Sequence, residues 1–243
     1  GTDTINLTTS GTISSDVLVN QVSGFETLNM SNGNDTVTFD DTTDFNDFTS
    51  EFTDIVDAGG TDTLSFGSTA VSEDLNFSKL TEFENLNLSS VSDNLTISGD
   101  EPDNINGLGG DDQFTLDFST VRNLDGGTGT DTVKFTGTTS SISADTDFAP
   151  SSTFTNIERL DISGLNLNTN DNNTEFNFTE AMLNAWTGSD TGSLTLSLTS
   201  SQVEKIKFTD SSSMVHDSSS TITDNASYTI GNNTLTIDII DVP

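Results

Sequence analysis

The chain has 243 residues, 39 acidic against 6 basic side chains, one histidine and no cysteine, giving a formal net charge of −33 and a pI near 4.1. Six scattered cations cannot neutralise a phosphate backbone, which excludes nucleic-acid binding, and the missing cysteines exclude disulfides, thiolate zinc and iron–sulfur sites. No apolar run approaches the roughly 18 to 20 residues of a membrane span, so membrane insertion is not expected. Apolar residues make up only 30% of the chain, a level at which an acidic sequence tends to disorder, but 16 phenylalanines argue for a packed core. The sequence opens at Gly1 in the middle of a motif and reads as a piece of a longer protein.

In chain order, short stretches alternate apolar and polar residues at 36–39, 63–66, 86–88, 95–97, 132–135, 194–198 and 235–239, and each predicts a strand with one buried face. Clusters of Gly, Asn, Asp and Ser separate them, residues that tolerate positive φ or cap their own turns. Helix signals are few. Single turns are expected at 44–48 and 76–80, and a two-turn helix at 179–186, with Phe178, Met182 and Trp186 on one face and Gly188 as its stop. A mild change of composition near Pro150 suggests two portions, 1–150 and 151–243, the second continuing or capping the first.

Two echoes run through the chain. In the first, an aspartate stands two residues after a glycine and two before an apolar residue: Gly1, Asp3, Ile5; Gly33, Asp35, Val37; Gly60, Asp62, Leu64; Gly110, Asp112, Phe114; Gly129, Asp131, Val133. In the second, an apolar residue and a glutamate lead into a strand, at Glu26, Glu84, Glu158 and Glu204. The intervals are irregular, which favours a solenoid whose turns carry insertions over one built of identical layers. The glutamates are expected at strand edges in a structural role. The single His216 lies in a serine-rich stretch with no G-x-S-x-G elbow, and no pair of acids stands out among 39, so no enzyme activity is expected.

The segment Gly126, Gly127, Thr128, Gly129, Thr130, Asp131, Thr132, Val133, Lys134 resembles, position for position, the nonapeptide G-G-x-G-x-D-x-U-x of the repeat-in-toxin (RTX) family. Glycines allow tight turns with carbonyls turned inward, the aspartate adds an anionic oxygen, and calcium accepts six to eight such ligands in flexible geometry. Residues 98–115 resemble two degraded copies, with Asp103 in the first and Gly107, Gly110 and Asp112 in the second, the aspartates nine residues apart. The copies at Asp3, at Gly33 with Asp35, and at Gly60 with Asp62 lack part of the leading glycine pair. The remainder looks like the β-rich spacers of large RTX surface proteins, adhesins and S-layer subunits.

The resemblance implies an all-β, irregular, calcium-stabilised β-solenoid or β-roll with short strands and at most one or two short helices. It also implies several bound Ca2+ ions, type I secretion and an extracellular place at a bacterial cell surface. Expected partners are calcium, neighbouring subunits in self-assembly, or a cell-surface glycan. Strong self-repulsion independently calls for divalent cations. The rival expectation is a carbohydrate-, peptide- or ice-binding module, although an ice-binding face wants a Thr ladder at a fixed period and the intervals here vary.

Overall fold

The computed structural model describes the chain except residues 1, 22–23, 57, 73, 81–82, 99–101, 118–122, 139–152, 167–175, 190–191, 204–205, 211–212, 217–221 and 241–243. It divides into two compact units, Gly1–Asp112 and Gln113–Pro243. The composition change near Pro150 lies outside the described residues, as does Glu204.

The first unit holds β1 (Thr4–Asn6), β2 (Thr12–Ser14), β3 (Thr27–Asn29), β4 (Thr36–Phe39), α1 (Thr42–Glu51), β5 (Asp54–Val56), β6 (Thr63–Phe66), β7 (Asp74–Asn76), β8 (Asn85–Asn87), β9 (Asn94–Ser98) and β10 (Asn104–Asn106). A π-helical turn, Val17–Gln21, follows β2. Three runs of parallel strands result: β1-β3-β5, β2-β4-β6-β8-β10, and β7 with β9. In the longest, Ile13, Val37, Leu64, Leu86 and Ile105 sit opposite one another, so like packs on like from strand to strand. The alternation seen in sequence is realised: in β4 and β6 the polar residues are half-exposed while Val37, Phe39, Leu64 and Phe66 are buried.

Helix α1 is the largest insertion in this unit. Asp41 caps its start, its carboxylate accepting the N–H groups of Thr43 and Asp44, and Lys79 closes its other end by donating from Nζ to the carbonyls of Thr49 and Phe52. Its Phe45 and Phe48 enter a cluster with Phe39, Phe52, Phe66 and Phe77, with ring centroids 5.3 to 5.9 Å apart. Burying six rings there adds large apolar area to a core whose short strands bury only one or two side chains each.

The second unit holds β11 (Gln113–Asp117), β12 (Asn123–Asp125), β13 (Thr132–Thr138), β14 (Phe154–Thr155), β15 (Arg159–Asp161), β16 (Leu165–Asn166), β17 (Phe176–Thr179), α2 (Glu180–Trp186), β18 (Ser193–Leu198), β19 (Ile206–Asp210), β20 (Ser213–His216), β21 (Ser227–Ile230) and β22 (Asn233–Ile239). Strands β11-β13-β15-β18-β22 are parallel and β21 closes the edge antiparallel to β22. Strand β12 pairs β14, β16 pairs β13 and β17 pairs β19, all parallel, and β20 turns back antiparallel on β19. Thr179 caps α2, and Gly188 ends it with φ +62°. Leu183 and Trp186 are the buried residues of the helix, with Phe178 buried just ahead of it; Met182, expected on that face, is only half-buried. Trp186 packs edge-on against Phe154 and Phe178, as a core residue.

The chain is thus mostly strand in parallel sheets with few helices, and no sheet closes into a barrel among the described residues. A purely all-β description does not hold. The turn expected at 44–48 extends to the ten residues of α1, because Asp41 supplies a strong cap and the phenylalanine cluster anchors the apolar face. No helix of the described residues is long and apolar enough to cross a membrane.

Candidate functional site

Four of the five aspartates of the first echo enter their strands from buried positions. Asp35, Asp62, Asp112 and Asp131 are at most 2% exposed, in a chain whose negative charges ought to seek water. Each must therefore be held by hydrogen bonds. The backbone N–H of Gly11 donates to Asp35 Oδ1 (2.9 Å), that of Asp35 to Asp62 Oδ1 (2.8 Å), and that of Asp62 to Glu84 Oε2 (2.6 Å). Asp3 N–H donates to Glu26 Oε2 (2.7 Å), and in the second unit Asp131 N–H donates to Glu158 Oε2 (2.8 Å). The two echoes are therefore one device: an acidic side chain at the mouth of one strand accepts the N–H at the same register position of its neighbour. The separation along the chain varies from 19 to 41 residues without disturbing the register.

Two further members of this ladder lie outside the five Gly-x-Asp copies. Asp93, 3% exposed, accepts from Val71 N–H (2.5 Å) and itself donates through its N–H to Asp112 Oδ1 (2.8 Å). Asn233, an amide in the same register position, accepts from Gly192 N–H (2.8 Å). For Asp93 the available signal was only the apolar Leu95 two positions on; Asn233 has both the leading Gly231 and the following Leu235, but an amide where the other copies have aspartate. Burial raises the Asp93 carboxyl above its ordinary value, against the opposing pull of the Val71 N–H and the Ser89 hydroxyl and N–H.

The second oxygen separates two kinds of loop. In Asp35 and Asp93 the Oδ2 accepts the N–H four residues earlier, from Ser31 and Ser89, both at 2.9 Å. Ahead of Asp112 and Asp131 the equivalent N–H groups turn elsewhere, Leu108 donating to Asn106 Oδ1 and Gly127 to Asp125 Oδ1. These are the glycine-rich loops. Gly110 has φ +117°, and a Cβ there would stand 2.4 Å from the backbone of Val91 and Ser92, so only glycine fits both the conformation and the approach. At Gly126 a Cβ would lie 2.2 Å from the carbonyl oxygen of Asn156 and 2.7 Å from Asp131 Oδ2. Oxygens from two loops, one before β13 and one after β14, flank that point.

The chain matches no protein-family model, no curated protein and no solved structure.

The expected site residues are thus distributed as follows. Asp35, Asp62, Asp112 and Asp131 sit at strand entries, each buried, with Gly33, Gly60, Gly110, Gly127 and Gly129 in the turns just before them. Gly60, Gly127 and Gly129 have positive φ. Gly107 is buried and its carbonyl accepts the Gly109 N–H, whereas Asp103 and Asp3 are exposed. Among the described residues no three His, Cys, Asp or Glu side chains stand close enough to hold one metal ion. The donors gathered at Gly126 are oxygens only, carboxylate and carbonyl, which suits a hard cation such as calcium provided that backbone carbonyls supply much of its shell.

Proposed function

We propose that this chain is a non-catalytic, calcium-binding structural segment of a type I secreted bacterial cell-surface protein, an S-layer subunit or RTX adhesin, built as an irregular β-solenoid that folds and rigidifies on extracellular calcium. The observation that carries this reading is the glycine loop at 126–131, where Asp131 is buried and a Cβ at Gly126 would collide with both Asp131 Oδ2 and the Asn156 carbonyl oxygen. The net charge of −33 supports it, since compaction concentrates like charges that monovalent salt screens only beyond about 8 to 10 Å. Ions that bind the folded state alone stabilise it by mass action.

The test is circular dichroism and thermal melting of EDTA-treated protein, titrated with calcium and separately with magnesium. A coil that becomes strand-rich with calcium supports the reading. Equal stability in EDTA makes the aspartates purely structural hydrogen-bond acceptors and removes it.

A neutral-glycan-binding reading draws on a different feature. The outward positions of β2, β4, β6, β8 and β10 form two in-register columns, Thr12, Thr36, Thr63, Asn85, Asn104 and Ser14, Thr38, Ser65, Asn87, Asn106, without a single charge. Retention on insoluble neutral polysaccharide, abolished by Thr38→Asp with Asn87→Asp, would favour it.

A further inference from the structure

One cavity of the first unit lies apart from the glycine motifs. It is a narrow, partly open cleft lined by Ser15, Asp16, Val19, Asn20, Asp44 and Asp47. Ser15 is 1% exposed, and its Oγ has no hydrogen-bond partner. Buried hydroxyls almost always find one, because leaving water without replacement is costly. A buried water is the usual substitute, but this cavity is too narrow to seat one. A bare metal cation is smaller than water and takes a hydroxyl oxygen as a ligand.

The electrostatics point the same way. Asp16 stands beside the π-helical turn, and Asp40, Asp41, Asp44 and Asp47 crowd the start of α1. Helix capping accounts for Asp41, and the Asp40 N–H accounts for one oxygen of Asp44. Neither explains why Asp16 and Asp47 share the rim with a buried serine. The Lys79 amine is committed to carbonyls at the far end of α1.

We propose that this cavity is a calcium site, in which Ser15 Oγ and the carboxylates of Asp44 and Asp47, three residues apart on one helix face, ligate one ion. Two carboxylates and a hydroxyl leave the rest of a shell of six to eight oxygens to solvent at the exposed rim, where Asp16 adds its field. The ion ties the π-helical turn to α1. The site is independent of the glycine loops and stands or falls without them.

Calcium titration calorimetry on the full chain tests this with Ser15→Ala, Asp47→Asn and, as a reference, Asp131→Asn. Ser15→Ala and Asp47→Asn are each expected to remove one bound ion per chain or weaken one site at least tenfold. Amide exchange at 15–21 and 42–51 should then stop slowing on calcium addition. Asp131→Asn should leave those amides responsive. Ser15→Ala removes the buried hydroxyl, so its fold in EDTA is expected to be at least as stable as that of the parent. Unchanged stoichiometry and affinity in both Ser15→Ala and Asp47→Asn, or no calcium bound by the parent chain, overturns the proposal.

Discussion

Asp93 shows what a single buried carboxylate does here. It receives the N–H groups of Val71 and Ser89 and the Ser89 hydroxyl, so truncation strands two buried donors. Asp93→Ala is expected to cost on the order of 3 kcal/mol in urea unfolding. Its pH dependence has a definite sign. With the folded carboxyl raised above the ordinary 3.8, the folded state holds the proton more tightly than the unfolded chain. Stability from this group is therefore greatest below 3.8 and declines as pH rises through the raised value. Relative to Asp93→Asn, the parent protein should lose stability as pH rises above 3.8, measured by denaturant midpoints; a constant difference would refute the assignment. Gly110→Ala tests the neighbouring constraint, and because both the φ of +117° and the 2.4 Å approach oppose a methyl group, its melting temperature should fall by several degrees. At this scale the Gly-x-Asp spacing was readable for five aspartates. Asp93 was not, because Val91 stands where the others have glycine and only pairing reveals the shared register.

Among the elements, α1 departs furthest from expectation. A local pattern around Asp44 to Phe48 supported one turn, and ten residues formed. The difference lies in two contributions that pattern alone does not weigh, the Asp41 cap and the rings that receive Phe45 and Phe48. Asp41→Ala should destabilise the protein by about 1 kcal/mol, the usual cost of a lost N-cap. Phe45→Ala should cost about 3 to 5 kcal/mol, since it opens a void among Phe39, Phe66 and Phe77; both are read as shifts of the unfolding midpoint. Helix α2 was placed within a residue, its cap and stop being local, but its buried face runs through Leu183 instead of Met182. Each of the seven alternating stretches singled out in the sequence lies in or overlaps a strand, whereas β11, β17 and β21 alternate too and were not singled out. Three-residue strands such as β1, β5 and β7 are too short for a period to declare itself, and exist because a parallel neighbour pairs with them.

For the whole chain the dominant quantity is charge. In EDTA, raising sodium chloride from about 0.1 M to about 1 M should raise the melting temperature by screening repulsion among the exposed carboxylates. If the proposed calcium sites exist, millimolar calcium should exceed the effect of magnesium at equal ionic strength, since calcium accepts the irregular oxygen shell that magnesium's octahedral preference refuses. Equal responses to the two ions would reduce the effect to charge screening. Composition, alternation and turn residues determined by themselves that the chain is strand-dominated, acidic and built on a recurring Asp-x-apolar frame, because these depend on residues a few positions apart. The tertiary structure decided that the aspartates and glutamates belong to one ladder, that Asp93 and Asn233 join it, and that Ser15 is buried against Asp44 and Asp47. Those relations join residues some 20 to 40 positions apart across insertions of unequal length, and no local period can carry them.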